Sequence, residues 1–120
     1  MLNFILTVNT SNGVFYGGSI KAANVDDADE AAFIIFTKLK KDGIGSVLGI
    51  DTVDYFNFKG NLQLLNNDEI NNYISYYRLP YDENVDDVFL EKLLKFFETK
   101  EEYEKCSIIF KKMNMMLEAA

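Results

Sequence analysis

The chain has no histidine and no tryptophan, and only one cysteine, one arginine and one proline. Each shortage closes a class of function. Without histidine no side chain has an unperturbed pKa near neutrality to serve as a general base, and Ser–His or Cys–His nucleophile pairs cannot be built. Zinc sites draw on sets of cysteines and histidines, which a lone Cys106 does not provide. The same residue has no partner for an internal disulfide. A nucleic-acid surface needs clustered Arg and Lys to displace counterions, yet 12 basic residues stand against 19 acidic ones, for a net charge of −7. The expectation is a non-enzymatic chain with no cofactor, no metal and no direct nucleic-acid contact.

Long apolar runs are missing too. No stretch reaches the roughly 20 residues that span a bilayer. The apolar start, Met1 to Val8, lacks the basic flank and small-residue cleavage site of a signal peptide. Together with the single free cysteine, this points to the cytoplasm and away from membranes. The acidity is uneven: residues 82–120 hold ten acids against six lysines, and residues 1–65 hold seven against five. A field of this sign repels phosphate backbones and suits a partner with a basic surface.

What the chain does have is material for a core. Hydrophobic residues make up 48%, including ten Phe and seven Tyr, enough for a single domain over residues 1–120. Leu2, Phe4, Leu6 and Val8 alternate with Asn3, Ile5 and Thr7, which predicts a strand with one strongly apolar face. A turn at residues 9–13 leads to a second strand from Val14 to Ile20, where Gly17 and Gly18 mark a bulge. Asp26, Asp27, Asp29 and Glu30 open a helix, with Asp26 or Asp27 as its cap. Ala31, Ala32, Ile35, Phe36 and Leu39 form its apolar stripe, and Gly43 ends it. A third strand is predicted over residues 46–59 and a short fourth one from Leu62 to Leu65.

The remainder, residues 66–120, reads as a helical part. Asn66 or Asn67 caps a helix carrying Ile70, Tyr73, Ile74 and Tyr77, which Pro80 ends. Val85 to Glu98 is a second helix with Val88, Phe89, Leu93, Phe96 and Phe97 inward. Thr99 and Glu102 have capping-box spacing for a third, whose stripe is Tyr103, Cys106, Ile109, Phe110, Met113 and Met116. The short connection makes these two an antiparallel hairpin. The predicted fold class is therefore α+β: a small antiparallel sheet in the order strand, strand, helix, strand, strand over 1–65, then the helical part with its hairpin.

Candidate motifs thin out on inspection. Asp82, Asn84 and Asp86 have the opening spacing of a calcium loop, but Asp87 stands where glycine is needed and Leu93 where a bidentate glutamate is needed. The glycines at 43, 45 and 49 follow a helix and open a strand, the reverse of a dinucleotide loop. The acids at 26–30 lack any basic or histidine neighbour in sequence to split their pKa values, which leaves capping and solvation as their role. Tyr73, Tyr76, Tyr77 and Tyr81 surround the sole Arg78, and Tyr and Arg are the residue types enriched at interface hot spots. These five residues are the predicted partner-binding set. The cluster Met113, Met115, Met116 and Leu117 suits an adaptable interface and self-association through the C-terminal helices.

The stretch Glu102-Tyr103-Glu104-Lys105-Cys106-Ser107-Ile108-Ile109 resembles locally the helical hairpin at the end of bacterial excision-repair subunits, the UVR motif. It departs from that motif at Phe110 and Lys111, where Arg and Asp are usual. The resemblance implies protein–protein contact and a shared way of packing two helices.

These features combine into one expectation. The chain reads as a small acidic accessory or inhibitor protein of the kind carried by phages and mobile elements. It would occupy the basic or active surface of a host defence or nucleic-acid-processing protein. Two other classes fit the composition: an assembly subunit acting by homo-oligomerisation, and a small-molecule binder working through Asp, Glu and Tyr.

Overall fold

The computed structural model describes residues 1–82 and 85–119, with side chains to residue 116. The chain packs as two compact units, Met1–Glu83 and Asn84–Ala120. The α+β class holds. The first unit contains β1 (Leu2–Thr10), β2 (Gly13–Ala22), α1 (Val25–Lys41), β3 (Val47–Asp54) and α2 (Asp68–Arg78), followed by one 3₁₀ turn at Leu79–Tyr81. The second contains α3 (Asp87–Thr99) and α4 (Tyr103–Ala119). Among the described residues no helix is long and apolar enough to cross a membrane.

The sheet is antiparallel throughout, in the order β2-β1-β3. The most apolar strand takes the centre, where both its edges are paired. Phe4, Leu6, Val8, Ile20 and Val47 are buried with Ala28, Ala31, Ala32, Ile35 and Leu39 of α1. The alanines keep that helix slim where it packs on β3 and β2, and each fully buried Leu or Ile adds about 1.5–3 kcal/mol. Thr52 donates a hydrogen bond to Asp29 Oδ1 at 2.7 Å, tying β3 to α1.

The helix ends follow local chemistry, with two departures from expectation. Asn24, and neither Asp26 nor Asp27, caps α1 by accepting from the Asp27 N–H at 2.8 Å. An Asx side chain one turn ahead of the acids reaches the free N–H groups, while the acids in the first turn face the helix dipole. At the other end, the Gly43 N–H donates to the Lys40 carbonyl and the Ile44 N–H to the Leu39 carbonyl, a Schellman closure. Asn67 caps α2 as expected, accepting from Ile70 N–H.

The predicted fourth strand shrinks to a single parallel bridge between Tyr16 and Leu64, supported by a hydrogen bond from Tyr16 N–H to the Gln63 carbonyl at 2.9 Å. The segment runs parallel to β2, and its pairing stops at that one bridge. Helix α2, grouped by sequence with the helical part, instead packs on α1 and β2.

In the second unit α3 and α4 pack on one another. Leu90, Leu93 and Phe97 are the buried residues of α3, and Cys106 and Ile109 those of α4. Val88, Tyr103 and Phe110, expected inward, are exposed, Phe110 by 51%. The stripe on α4 is therefore narrower than its sequence suggests. Thr99 does not cap α4: its hydroxyl donates to the Lys95 carbonyl inside α3. A second Schellman closure, Glu102 N–H to the Phe97 carbonyl and Glu101 N–H to that of Glu98, ends α3 and places Glu101 at φ 61°.

Candidate functional site

The predicted Tyr73–Tyr81 segment forms α2's last two turns and the 3₁₀ turn after it. Tyr73 and Tyr76 are 5% and 8% exposed, so both belong to the core and offer little surface to a partner. Tyr77 is half-buried. Its hydroxyl donates to the Asp42 carboxylate, and Lys38 lies 5.6 Å above its ring, which pins α2 to the end of α1. Tyr76 and Tyr77 meet edge to face with centroids 5.0 Å apart. Tyr81 is half-buried in the 3₁₀ turn.

Arg78 ends α2 and reaches to β2. Ile5 pairs with Ser19 and Thr7 with Tyr16, so Leu6 lies opposite two residues, Gly17 and Gly18, in a β-bulge. Gly18 has φ +95°. A Cβ there would overlap the Nη1 and Cζ atoms of Arg78. Glycine thus serves twice at this position: it adopts the left-handed bulge conformation, and it lets the guanidinium lie directly on the strand backbone. Gly17 permits a close approach as well, since a Cβ there would sit 2.6 Å from Val8 Cγ2.

The guanidinium is only partly satisfied. Nη1 donates to the Ser19 carbonyl over a long 3.4 Å. Nη2 is 3.7 Å from the Asp82 carboxylate, outside hydrogen-bond range, with both side chains more than four-fifths buried. Nε is buried with no hydrogen-bond partner, a state that costs about 1–3 kcal/mol for a polar group. Arg78 lines a cavity of about 330 Å³, together with Tyr16, Gly17, Gly18, Leu64, Asn71, Ile74 and Ser75.

A second feature escaped the sequence reading. After β3 the chain turns at Asp54, whose carboxylate accepts from the Phe56 N–H at 3.1 Å and from Asn57 Nδ2 at 2.9 Å. The Asn57 N–H donates to the Asp54 carbonyl, and the Tyr55 N–H to that of Asn3. This Asx turn holds Tyr55 and Phe56 edge to face, with centroids 5.9 Å apart and planes at 87°. Tyr55 is 55% exposed and Phe56 78%. The strand predicted over residues 46–59 includes Asp54-Tyr55-Phe56-Asn57, but β3 ends at Asp54, and the Asp and Asn that flank the aromatics are the turn signal.

Among the described residues no group of three or more His, Cys, Asp or Glu could hold a metal ion. Asn84, the middle residue of the calcium-like spacing, lies outside the described residues, as does the side chain of Leu117 from the C-terminal cluster. Cys106 is buried. Burial first, and the Glu98 carboxylate second, push its thiol above the ordinary cysteine range, the opposite of what a nucleophile needs. No protein-family model matches the chain, and no curated protein or solved structure matches it either.

Proposed function

We propose that this protein is a non-enzymatic binding domain that engages another protein, with the aromatic turn at Tyr55–Phe56 as the anchor. The observation that carries this reading is the turn itself. Two large aromatic side chains stand in solvent on a backbone fixed by four hydrogen bonds. Aromatic side chains held rigid in solvent give contact area at low entropic cost and dominate interface energetics. The net charge of −7 favours a partner with a basic surface. An inhibitor or accessory protein that covers the basic or active face of a nucleic-acid-processing or host defence protein fits both features. The test is affinity capture from host lysate with the parent and a Tyr55→Ala/Phe56→Ala variant of unchanged circular dichroism. Supporting evidence is a protein held by the parent, released by raised salt and lost from the variant. Identical capture by both would remove the turn from the interface.

A second reading, self-association through the C-terminal helices, rests on a different observation. Ile108 and Met115 are seven residues apart on α4 and both exposed, on the side away from the buried Cys106 and Ile109. Sedimentation equilibrium separates the readings: a concentration-dependent dimer abolished by Ile108→Glu supports assembly, and a monomer at high micromolar concentration rejects it.

A further inference from the structure

We infer that the cavity beside Arg78 binds a carboxylate carried on a small aliphatic or aromatic body. The cavity, about 330 Å³, is at the small end of the range for ligand pockets. Its wall holds the chain's only guanidinium, and in a protein of net charge −7 that is an unusual place to seat it. The group has five N–H donors. Its protein contacts are a 3.4 Å bond to Ser19 and a 3.7 Å ion pair with Asp82, and Nε has no partner. A planar carboxylate takes two parallel N–H donors from one guanidinium, which neither of those contacts does. Asn71 and Ser75 add polar atoms to the same wall, and Tyr16, Leu64 and Ile74 add apolar surface for the body of the ligand.

The seat is built into the backbone. The guanidinium lies on Gly18 because the bulge there supplies a positive φ and no Cβ. An arginine serving only to join α2 to the sheet would be expected to saturate its donors on nearby carbonyls, and this one leaves Nε bare. The inference is independent of the aromatic turn, whose residues do not line this cavity.

The test is a titration of the full chain followed by amide chemical shifts. The probes are benzoate and hexanoate as free acids, benzamide as the uncharged match, and acetyl-phenylalanine as the mimic of a polypeptide C-terminus. Benzoate should shift the amides of residues 16–19 and 71–78 and bind at least about tenfold more tightly than benzamide. Tighter binding of acetyl-phenylalanine than of benzoate identifies a polypeptide terminus as the source of the carboxylate, and the reverse order a free acid. Arg78→Gln should abolish the shifts. Leu64→Glu is the second variant, because position 64 is 72% exposed and the change leaves the core intact while placing a competing carboxylate at the mouth. It should also abolish binding. Absence of localised shifts at tens of millimolar acid, equal response to benzamide, or unchanged binding by Leu64→Glu would overturn the inference.

Discussion

Replacing Gly18 by alanine isolates the contact between the bulge and Arg78. Two costs arise. The first is the backbone: a non-glycine residue at φ +95° is strained by about 1–3 kcal/mol. The second is the guanidinium, which the new methyl group would overlap. The overlapping atoms end a flexible side chain, so the arginine moves and the strand stays. Moving it forfeits the long Ser19 bond and the 3.7 Å ion pair with Asp82. Ideal hydrogen bonds to a charged group contribute about 1.5–3 kcal/mol, and these stretched contacts about 1. Gly18→Ala should therefore cost about 2–4 kcal/mol in total. Gly43 provides the control: its φ is +85°, and a Cβ there would meet nothing within 4 Å. Gly43→Ala should cost only the backbone part. In an Arg78→Ala background the excess of Gly18→Ala over Gly43→Ala should vanish. Urea titrations, read by amide exchange of β1 residues so that the first unit is followed on its own, measure all four quantities. The reasoning fails if Gly18→Ala costs no more than Gly43→Ala, or if the excess persists without the arginine.

Four further outcomes are expected. Tyr76→Ala should destabilise the protein by about 3–5 kcal/mol in urea unfolding, as for a buried aromatic truncation. In the hairpin, Ile109→Ala should cost about 2–5 kcal/mol and the exposed Phe110→Ala under about 1, by thermal melts at equal concentration. Glu101→Gly should stabilise by about 0.5–1 kcal/mol, since it relieves the φ of 61° at the end of α3, against the entropy of a freer unfolded chain. The raised thiol of Cys106 favours the protonated form in the folded state, so its contribution is complete below the ordinary thiol range and is lost as pH climbs from that range through the raised value. Iodoacetamide should accordingly modify native protein more slowly than urea-unfolded protein at every pH up to that range, as counted by mass spectrometry.

The sheet was legible because Leu2, Phe4, Leu6 and Val8 recur at every second position and the partner across the turn carries glycines where the register slips, while the apolar Ile5 on the other face is buried with them. The first helix was legible from its stripe and from Gly43. Errors occurred where one apolar pattern admits several burial depths. Phe110 and Ile109 are neighbours on α4, and only the packing of α3 decides that the isoleucine is inside. Tyr73 and Tyr77 share one helix face and Tyr76 lies on another, so a helix packed on one side only would leave Tyr76 in solvent. The structure surrounds α2 on more than one side, with α1 and β2 both against it, so both faces are largely covered. Of the candidate site, Arg78 stood out as the sole arginine set among four tyrosines. Gly18 was recognised as a bulge, but its role as the arginine's seat depends on a contact 60 residues away in sequence. No local pattern carries such a contact.

The bulge also has a consequence for chain length. A deletion within an ordinary strand shifts its register and turns every following side chain to the wrong face of the sheet. Here the pairs on either side, Ile5 with Ser19 and Thr7 with Tyr16, already leave one residue too many opposite Leu6. Removing a single glycine would close the ladder into a regular one and keep every other pair and face as it is. The first unit therefore tolerates a shorter chain at this point in β2, and a chain shortened there would keep its sheet while losing the seat of its only arginine.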